Sequence, residues 1–294
     1  MPPTEPCVGG PLPRPQRVWS DRFVDVGGIR THYLEAGDGP RTVVLLHSGE
    51  FGASAELCWE YNIAAFAERY RVLAPDWLGF GETDKLHDFV SKSDRMVRHM
   101  AAFLRVLDVD EAYFAGASMG ATRLVQEAAR PAQRLPLAAM VLVSGGGFVP
   151  DNAHRRALLG YDGTAEGMQA ILRAALADEA WADDEAYVAR RVASSLVPGA
   201  WEATAAARLK APNVPPRSDF GQADTIAYEQ VGCPTLAVAG AKDLLREPGY
   251  HHALERIPGA RVEVFDDAGH LLNIERAERF NALAVDFLTS LEES

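Results

Sequence analysis

Ser118 stands in the stretch GASMG, between Gly116 and Gly120, after the apolar run AYFAGA and before a helix-like run. A serine hydroxyl is a poor nucleophile unless a base takes its proton, and the base needs an acid to orient it. Both are available downstream. Asp243 follows the run PTLAVAG, and His270 lies on a glycine-containing loop after RVEVF. The order serine, aspartate, histidine is that of hydrolases whose nucleophile sits on a strand-to-helix elbow. The serine of such an elbow occupies a strained turn, so the residues two before and two after it must be small. Gly116 and Gly120 meet that need. The backbone N–H of Met119 then lies at a helix N-terminus, where it can stabilise developing negative charge. A second oxyanion donor is expected from LLHSGEFGAS, the loop after TVVLLH. Gly49 is nominated because glycine lets backbone approach a ligand closely, although a plain turn would also account for it.

The other histidines are weaker bases by position. His99 lies off the apolar face of its helix and is expected in solvent. His251 and His252 open a helix and have no carboxylate partner evident in the sequence. His32 falls in a hairpin, and His87 and His154 fall in loops or in the helical segment described next.

These residues need a scaffold. RFVDVGGIRTHYLEAG reads as a hairpin turning at Gly27-Gly28. TVVLLH, RVLAPD, AYFAGA, LAAMVLVSG, PTLAVAG and RVEVF are short apolar runs. Helical patterns separate them, among them Met96, Val97, Met100, Phe103, Leu104 and Leu107 on one face. Continuous apolar strands alternating with helices predict a mainly parallel sheet covered on both sides. Residues from about 149 to 226 show helical patterns and a proline-containing loop but no strand pattern. They read as a helical cap inserted between the sixth and seventh strands.

The sequence has 294 residues, is 48% hydrophobic and 24% charged, and carries a formal net charge of −12. Such a surface repels a phosphate backbone, which argues against a nucleic-acid partner. No apolar run is long enough to span a bilayer. The three cysteines, Cys7, Cys58 and Cys233, are widely spaced and match no zinc or redox motif, so reduced structural thiols are expected. The proline- and glycine-rich residues 1–18 read as a poorly ordered tail without signal-peptide character. A cytoplasmic location follows by default.

HSGEFG, DWLGFGETD, GASMGA, GAKD and AGH occur in that order. With these motifs the chain resembles an α/β-hydrolase-fold enzyme with a cap, over nearly everything after the tail. The resemblance implies a mostly parallel eight-stranded sheet with helices on both faces. The core would comprise residues 19–148 and 227–294, with residues 149–226 as the cap. It implies no cofactor, no metal and a small-molecule substrate, and leaves a homodimer open. Within the superfamily the chain looks most like the meta-cleavage-product hydrolases, which split carbon–carbon bonds of vinylogous diketones. DEAYVARR resembles the cap segment in which that family carries a substrate-binding arginine, and Arg191 is the match. Three positions depart from the family: Ser48 replaces a glycine, Ala117 an asparagine, and Leu271 a tryptophan.

The expectation is a cofactor-independent serine hydrolase that cleaves an ester, lactone or activated carbon–carbon bond of a small, mainly apolar substrate. Ser118, His270 and Asp243 would form its triad, and the Gly49 and Met119 N–H groups its oxyanion hole. Glu50 reads most plainly as a solvated loop residue, or else as a polar substrate contact or a partner for a cap arginine. Arg191 reads most plainly as solvated on a cap helix, or else as a clamp for a substrate carboxylate. A small-molecule receptor, or a lyase or acyltransferase on the same scaffold, is the alternative.

Overall fold

The computed structural model describes residues 10–88, 91–206 and 220–293. Its eight strands are β1 (Ser20–Asp25), β2 (Arg30–Ala36), β3 (Thr42–Leu46), β4 (Arg71–Pro75), β5 (Ala112–Ala117), β6 (Leu137–Val143), β7 (Thr235–Gly240) and β8 (Arg261–Phe265). They form one sheet in the order β1-β2-β4-β3-β5-β6-β7-β8. The β1–β2 hairpin turns at Gly27-Gly28, both at positive φ. It joins β4 antiparallel, and every later pairing is parallel.

The apolar runs work as strands because both of their faces are buried. Val44, Leu46, Phe114, Met140 and Leu142 point to one side, where Met96, Met100, Phe103, Leu104 and Leu124 cover them. Those covering residues belong to α3 (Lys92–Val106) and α4 (Met119–Ala128). Val43, Leu45, Ala115, Ala117, Val141 and Val143 point to the other side, against Trp59, Phe66, Phe280 and Leu288. The elements there are α1 (Ala55–Trp59), α2 (Ile63–Ala67) and, near the C-terminus, a long helix at Ala277–Ser290.

Among the described residues, five α-helices stand between β6 and β7: α5 (Ala153–Leu159), α6 (Ala165–Ala175), α7 (Ala180–Asp183), α8 (Glu185–Ser195) and α9 (Ala200–Ala205). Side-chain caps fix several of their starts. Asn152, Thr164 and Asp184 each accept a backbone N–H from the first turn of the helix that follows. The insertion has its own apolar cluster, including Met168, Ile171, Leu172, Trp181, Tyr187 and Val188. Phe51 and Leu271 join that cluster, so the insertion rests on the loops after β3 and β8. After β8 follow α10 (Leu272–Glu275) and α11 (Ala277–Ser290).

Three readings of the sequence need correction. Residues 10–18 are tethered rather than loose. The Gly10 N–H donates to Asp178 at 2.7 Å, the Tyr61 hydroxyl donates to the Leu12 carbonyl at 3.1 Å, and Arg14 pairs with Glu56 at 2.6 Å. Residues 1–9, including Cys7, lie outside the described residues. His99 is buried, 2.9 Å from the Thr31 hydroxyl, and burial pushes its pKa down to about 4. The β1–β2 hairpin covers that side of α3, which helical periodicity alone does not reveal. His252 does have a carboxylate neighbour, Glu255, at 3.0 Å and only three residues on.

Candidate active site

The strand order reverses around β3: the chain leaves it toward β4 and returns to its other edge as β5. Ligands of open α/β sheets bind in the crevice at the carboxyl ends of strands where the order reverses. The Gly49 loop follows β3, and Ser118 follows β5.

Ser118 has φ +51° and ψ −105°, a conformation that side-chain-bearing residues rarely adopt. Its surroundings hold it there. Its N–H donates to the Val143 carbonyl at 2.8 Å, and its carbonyl accepts from the Thr122 N–H and hydroxyl, both at 2.9 Å. The flanking glycines are needed for separate reasons. A Cβ on Gly116 would stand 2.6 Å from the Ala121 nitrogen, inside the elbow itself. A Cβ on Gly120 would stand 2.3 Å from the Leu46 carbonyl oxygen, so that glycine lets α4 close on β3.

The hydroxyl Oγ of Ser118 lies 2.6 Å from Nε2 of His270, and Nδ1 of His270 lies 2.7 Å from Oδ2 of Asp243. The carboxylate can only accept, so Nδ1 carries the proton and Nε2 is left to accept from the serine. Both side chains are almost completely buried. Burial lowers the His270 pKa, Asp243 opposes that, and Arg155 and Arg246 add to the lowering. Burial would raise the Asp243 carboxyl, but the His270 charge and hydrogen bond, Arg246 and the Leu245 N–H together hold it low. The ground state is therefore a neutral imidazole beside an ionised carboxylate.

Gly49 and Met119 are side by side. A Cβ on Gly49 would meet the Met119 sulfur at 2.7 Å and its Cβ at 3.0 Å. Met119 opens α4, where backbone N–H groups have no intrahelical partner. The loop carrying Gly49 is pinned to the loop after β4. Nε2 of His47 accepts the Trp77 N–H at 2.9 Å, and the Trp77 indole donates to the His47 carbonyl at 3.0 Å. Asp76, wholly buried, accepts from the N–H groups of Ala55 at 2.7 Å and Glu82 at 2.8 Å, and lies 2.7 Å from Nδ1 of His32. A Cβ on Gly81 would fall 2.0 Å from that carboxylate, and its φ is +49°. This accounts for Gly81, the second glycine of the DWLGFG motif, in purely structural terms.

Arg191 and Glu50 are both buried, which overturns the solvated reading of each. Arg191 is 1% exposed overall, and the Glu50 side chain is 7% exposed. Nη2 of Arg191 donates to Glu50, and Nη1 donates to the Tyr187 hydroxyl at 3.0 Å. The Ser48 hydroxyl adds a bond to Glu50 at 3.0 Å. Burial would raise the Glu50 carboxyl, but Arg191, its own backbone N–H and Ser48 hold it below the usual range. Neighbouring Arg190 points elsewhere and pairs with the buried Glu60 at 2.6 Å.

Three further residues around the triad carry no signal in the sequence. Arg246 donates to the Gly146 and Ser144 carbonyls, each at 2.8 Å. Arg155, pushed down to about 10 by burial and by Arg246, donates to the Leu245 carbonyl at 2.8 and 3.2 Å. Glu275 accepts the Gly269 N–H at 2.6 Å, next to His270. It also accepts the N–H groups of Ala177 at 2.5 Å and Asp178 at 2.9 Å. One carboxylate thus ties the histidine loop to the insertion.

Residues 42–277 match a family model described as the alpha/beta hydrolase fold. Over 93% of this chain and 92% of its own length, the 2-hydroxy-6-oxo-6-(2'-aminophenyl)hexa-2,4-dienoic acid hydrolase of Metapseudomonas resinovorans is 31% identical. The 2-hydroxymuconate semialdehyde hydrolase of Pseudomonas sp. (strain CF600) is 28% identical over 92% of this chain and 94% of its own. Among solved structures, the meta-cleavage product hydrolase CumD of Pseudomonas fluorescens IP01, complexed with acetates, is similar with a TM-score of 0.81. It is 28% identical, over 92% of this chain and 98% of that one.

Proposed function

We propose, from the premise that this chain belongs to the α/β-hydrolase-fold family and within it to the meta-cleavage-product hydrolases, that Ser118, His270 and Asp243 perform its hydrolysis. The substrate is a small molecule with an activated carbon–carbon bond beside a ketone. The observation that carries this reading is the unbroken path from Ser118 through His270 to Asp243, at 2.6 and 2.7 Å.

Ser118 Oγ attacks the ketone carbon while Nε2 of His270 takes its proton. The Gly49 and Met119 N–H groups hold the oxyanion. Asp243 fixes the imidazole tautomer and stabilises its cation. The carbon–carbon bond then breaks, the electron pair leaves with the conjugated fragment, and the His270 imidazolium gives its proton to that carbanion, which returns the imidazole to its neutral form. Water, deprotonated by His270, attacks the acyl-serine and releases the acid and free Ser118. The leaving group becomes a tolerable carbanion only if the substrate first reaches its keto tautomer.

A second reading, ester or lactone hydrolysis, is favoured by one observation. The guanidinium of Arg191, which would meet the carboxylate of a dienoate, is already paired with Glu50. The same triad serves both reactions, which differ only in the leaving group. Free thiols at Cys58 and Cys233 support the cytoplasmic location that goes with this proposal. A panel of ring-cleavage dienoates, p-nitrophenyl esters and lactones tests it. Loss of the dienoate chromophore with release of two fragments supports carbon–carbon cleavage. Turnover confined to esters and lactones supports the second reading. Turnover of none of them, with folded protein, contradicts both.

A further inference from the structure

Between β7 and β8 the chain forms a short 3-10 helix, Tyr250–Arg256. Consecutive residues of such a helix point about 120° apart, so adjacent side chains diverge unless something draws them together. His251 and His252 converge instead, with ring centroids 4.5 Å apart. Residues three apart in a 3-10 helix eclipse one another, which sets Glu255 beside His252. Nδ1 of His252 and Oε1 of Glu255 stand 3.0 Å apart. One ligating atom from each of the three side chains lies within 4.8 Å of the other two. Among the described residues, no other group of three or more His, Cys, Asp or Glu side chains converges in this way.

These separations suit a metal ion. Zinc holds imidazole nitrogen and carboxylate oxygen at roughly 2.0–2.2 Å, so two ligands at right angles stand about 3 Å apart and the widest pair about 4.2 Å. The His252–Glu255 pair already has the first spacing. The two side chains are 68% and 55% exposed, so small rotations can close the remaining gap to His251. A carboxylate only accepts, so Nδ1 of His252 carries the proton it now shares with Glu255. An ion binding between them takes that proton's place, and the neutral ring carries its proton on Nε2. Two imidazoles and one carboxylate favour zinc and its transition-metal neighbours, whereas magnesium and calcium take oxygen ligands. The helix is seated by its other face. Tyr250 and Leu254 are buried. The Arg246 guanidinium lies 5.2 Å from the Tyr250 ring centre, and a Cβ on Gly146 would stand 2.9 Å from the Leu254 side chain.

We infer that His251, His252 and Glu255 form a surface site for a zinc-type divalent ion, which binds outside the triad and braces this helix against the loop after β6. The inference goes beyond the hydrolase reading and does not depend on it.

The test uses the full-length protein, first stripped of metal with a chelator. Zinc chloride is titrated by calorimetry into wild type, His251→Ala/His252→Ala and Glu255→Gln, with magnesium chloride as the control ion. Wild type should take up one zinc per chain at this site, with a Kd in the micromolar range. The double variant and Glu255→Gln should each bind that zinc at least about 10-fold more weakly. Glu255→Gln keeps the shape of an exposed side chain, so it decides the matter even if the double variant does not fold. Thermal unfolding gives a second readout. An ion that binds only the folded chain raises its stability, so zinc at about 100 times Kd should raise the wild-type Tm by about 5 °C and that of the variants by clearly less. No saturable zinc uptake by wild type below about 1 mM would overturn the inference. So would equal affinity in wild type and variants, which would place the ion elsewhere, or a response to magnesium as large as that to zinc.

Discussion

Asp243 places one carboxylate oxygen 2.7 Å from Nδ1 of His270 and the other 2.8 Å from the Leu245 N–H, so its plane is fixed from both sides. Replacing it with asparagine keeps the shape but offers an amide N–H toward Nδ1, which would leave the imidazole in the tautomer that cannot accept from Ser118. Asp243→Asn should lower kcat by about 10⁴-fold with little change in Tm. A rate near that of wild type would mean that another acid orients His270. Asp267 is a poor substitute, because it is engaged with Arg276 at 2.6 Å.

Ser118→Ala should abolish turnover and leave the fold intact. The strain at φ +51° belongs to the backbone, and the bonds that hold it use the Ser118 N–H and carbonyl, not the hydroxyl. Circular dichroism and Tm should match wild type. A variant that still hydrolyses the panel's best substrate, after contaminants are excluded, would remove Ser118 from the chemistry.

The pH dependence follows from the lowered pKa of His270. The imidazole must be neutral to act as a base, so activity should be full at pH 7 and decline on the acid side below the ordinary histidine range. Arg155 is one of the groups that lower it. Arg155→Gln should therefore raise the His270 pKa and move the acidic limb of kcat/KM to higher pH. A limb that stays in place or moves down would contradict this account of the site's electrostatics.

Glu275 holds the backbone N–H next to His270. Glu275→Ala leaves the buried N–H of Gly269 and the partly buried N–H groups of Ala177 and Asp178 without their acceptor, at a cost of roughly 2 kcal/mol in unfolding free energy. Because Gly269 precedes His270, kcat should fall more than KM rises. Denaturant unfolding together with steady-state kinetics checks both halves. A stability loss without any change in kcat would reduce Glu275 to a structural brace.

Ser118, Asp243 and His270 are legible in the sequence because each stands just after an apolar run, where a strand's carboxyl end delivers it to the same edge of the sheet. The strands are legible for a related reason: burial on both faces makes them continuously apolar. What the sequence hides is pairing across distance. Glu275 reads as an ordinary glutamate near a helix, yet it holds N–H groups about a hundred residues upstream. Arg191 and Glu50 read most plainly as solvated, because long charged side chains usually are. Only the seating of the insertion on the loop after β3 buries both. His99 misleads in the same way, since the hairpin that covers it comes from another part of the chain.

The central claim, that Ser118 becomes acylated during turnover, can be measured directly. A p-nitrophenyl ester is mixed with enzyme, quenched in acid within the first turnover, and the peptides are weighed by mass spectrometry. The account predicts one acyl group on the peptide containing Ser118, formed with a burst of p-nitrophenol and absent in Ser118→Ala. Hydrolysis at the wild-type rate with the acyl group on another residue, or with Ser118→Ala still producing the burst, would contradict it.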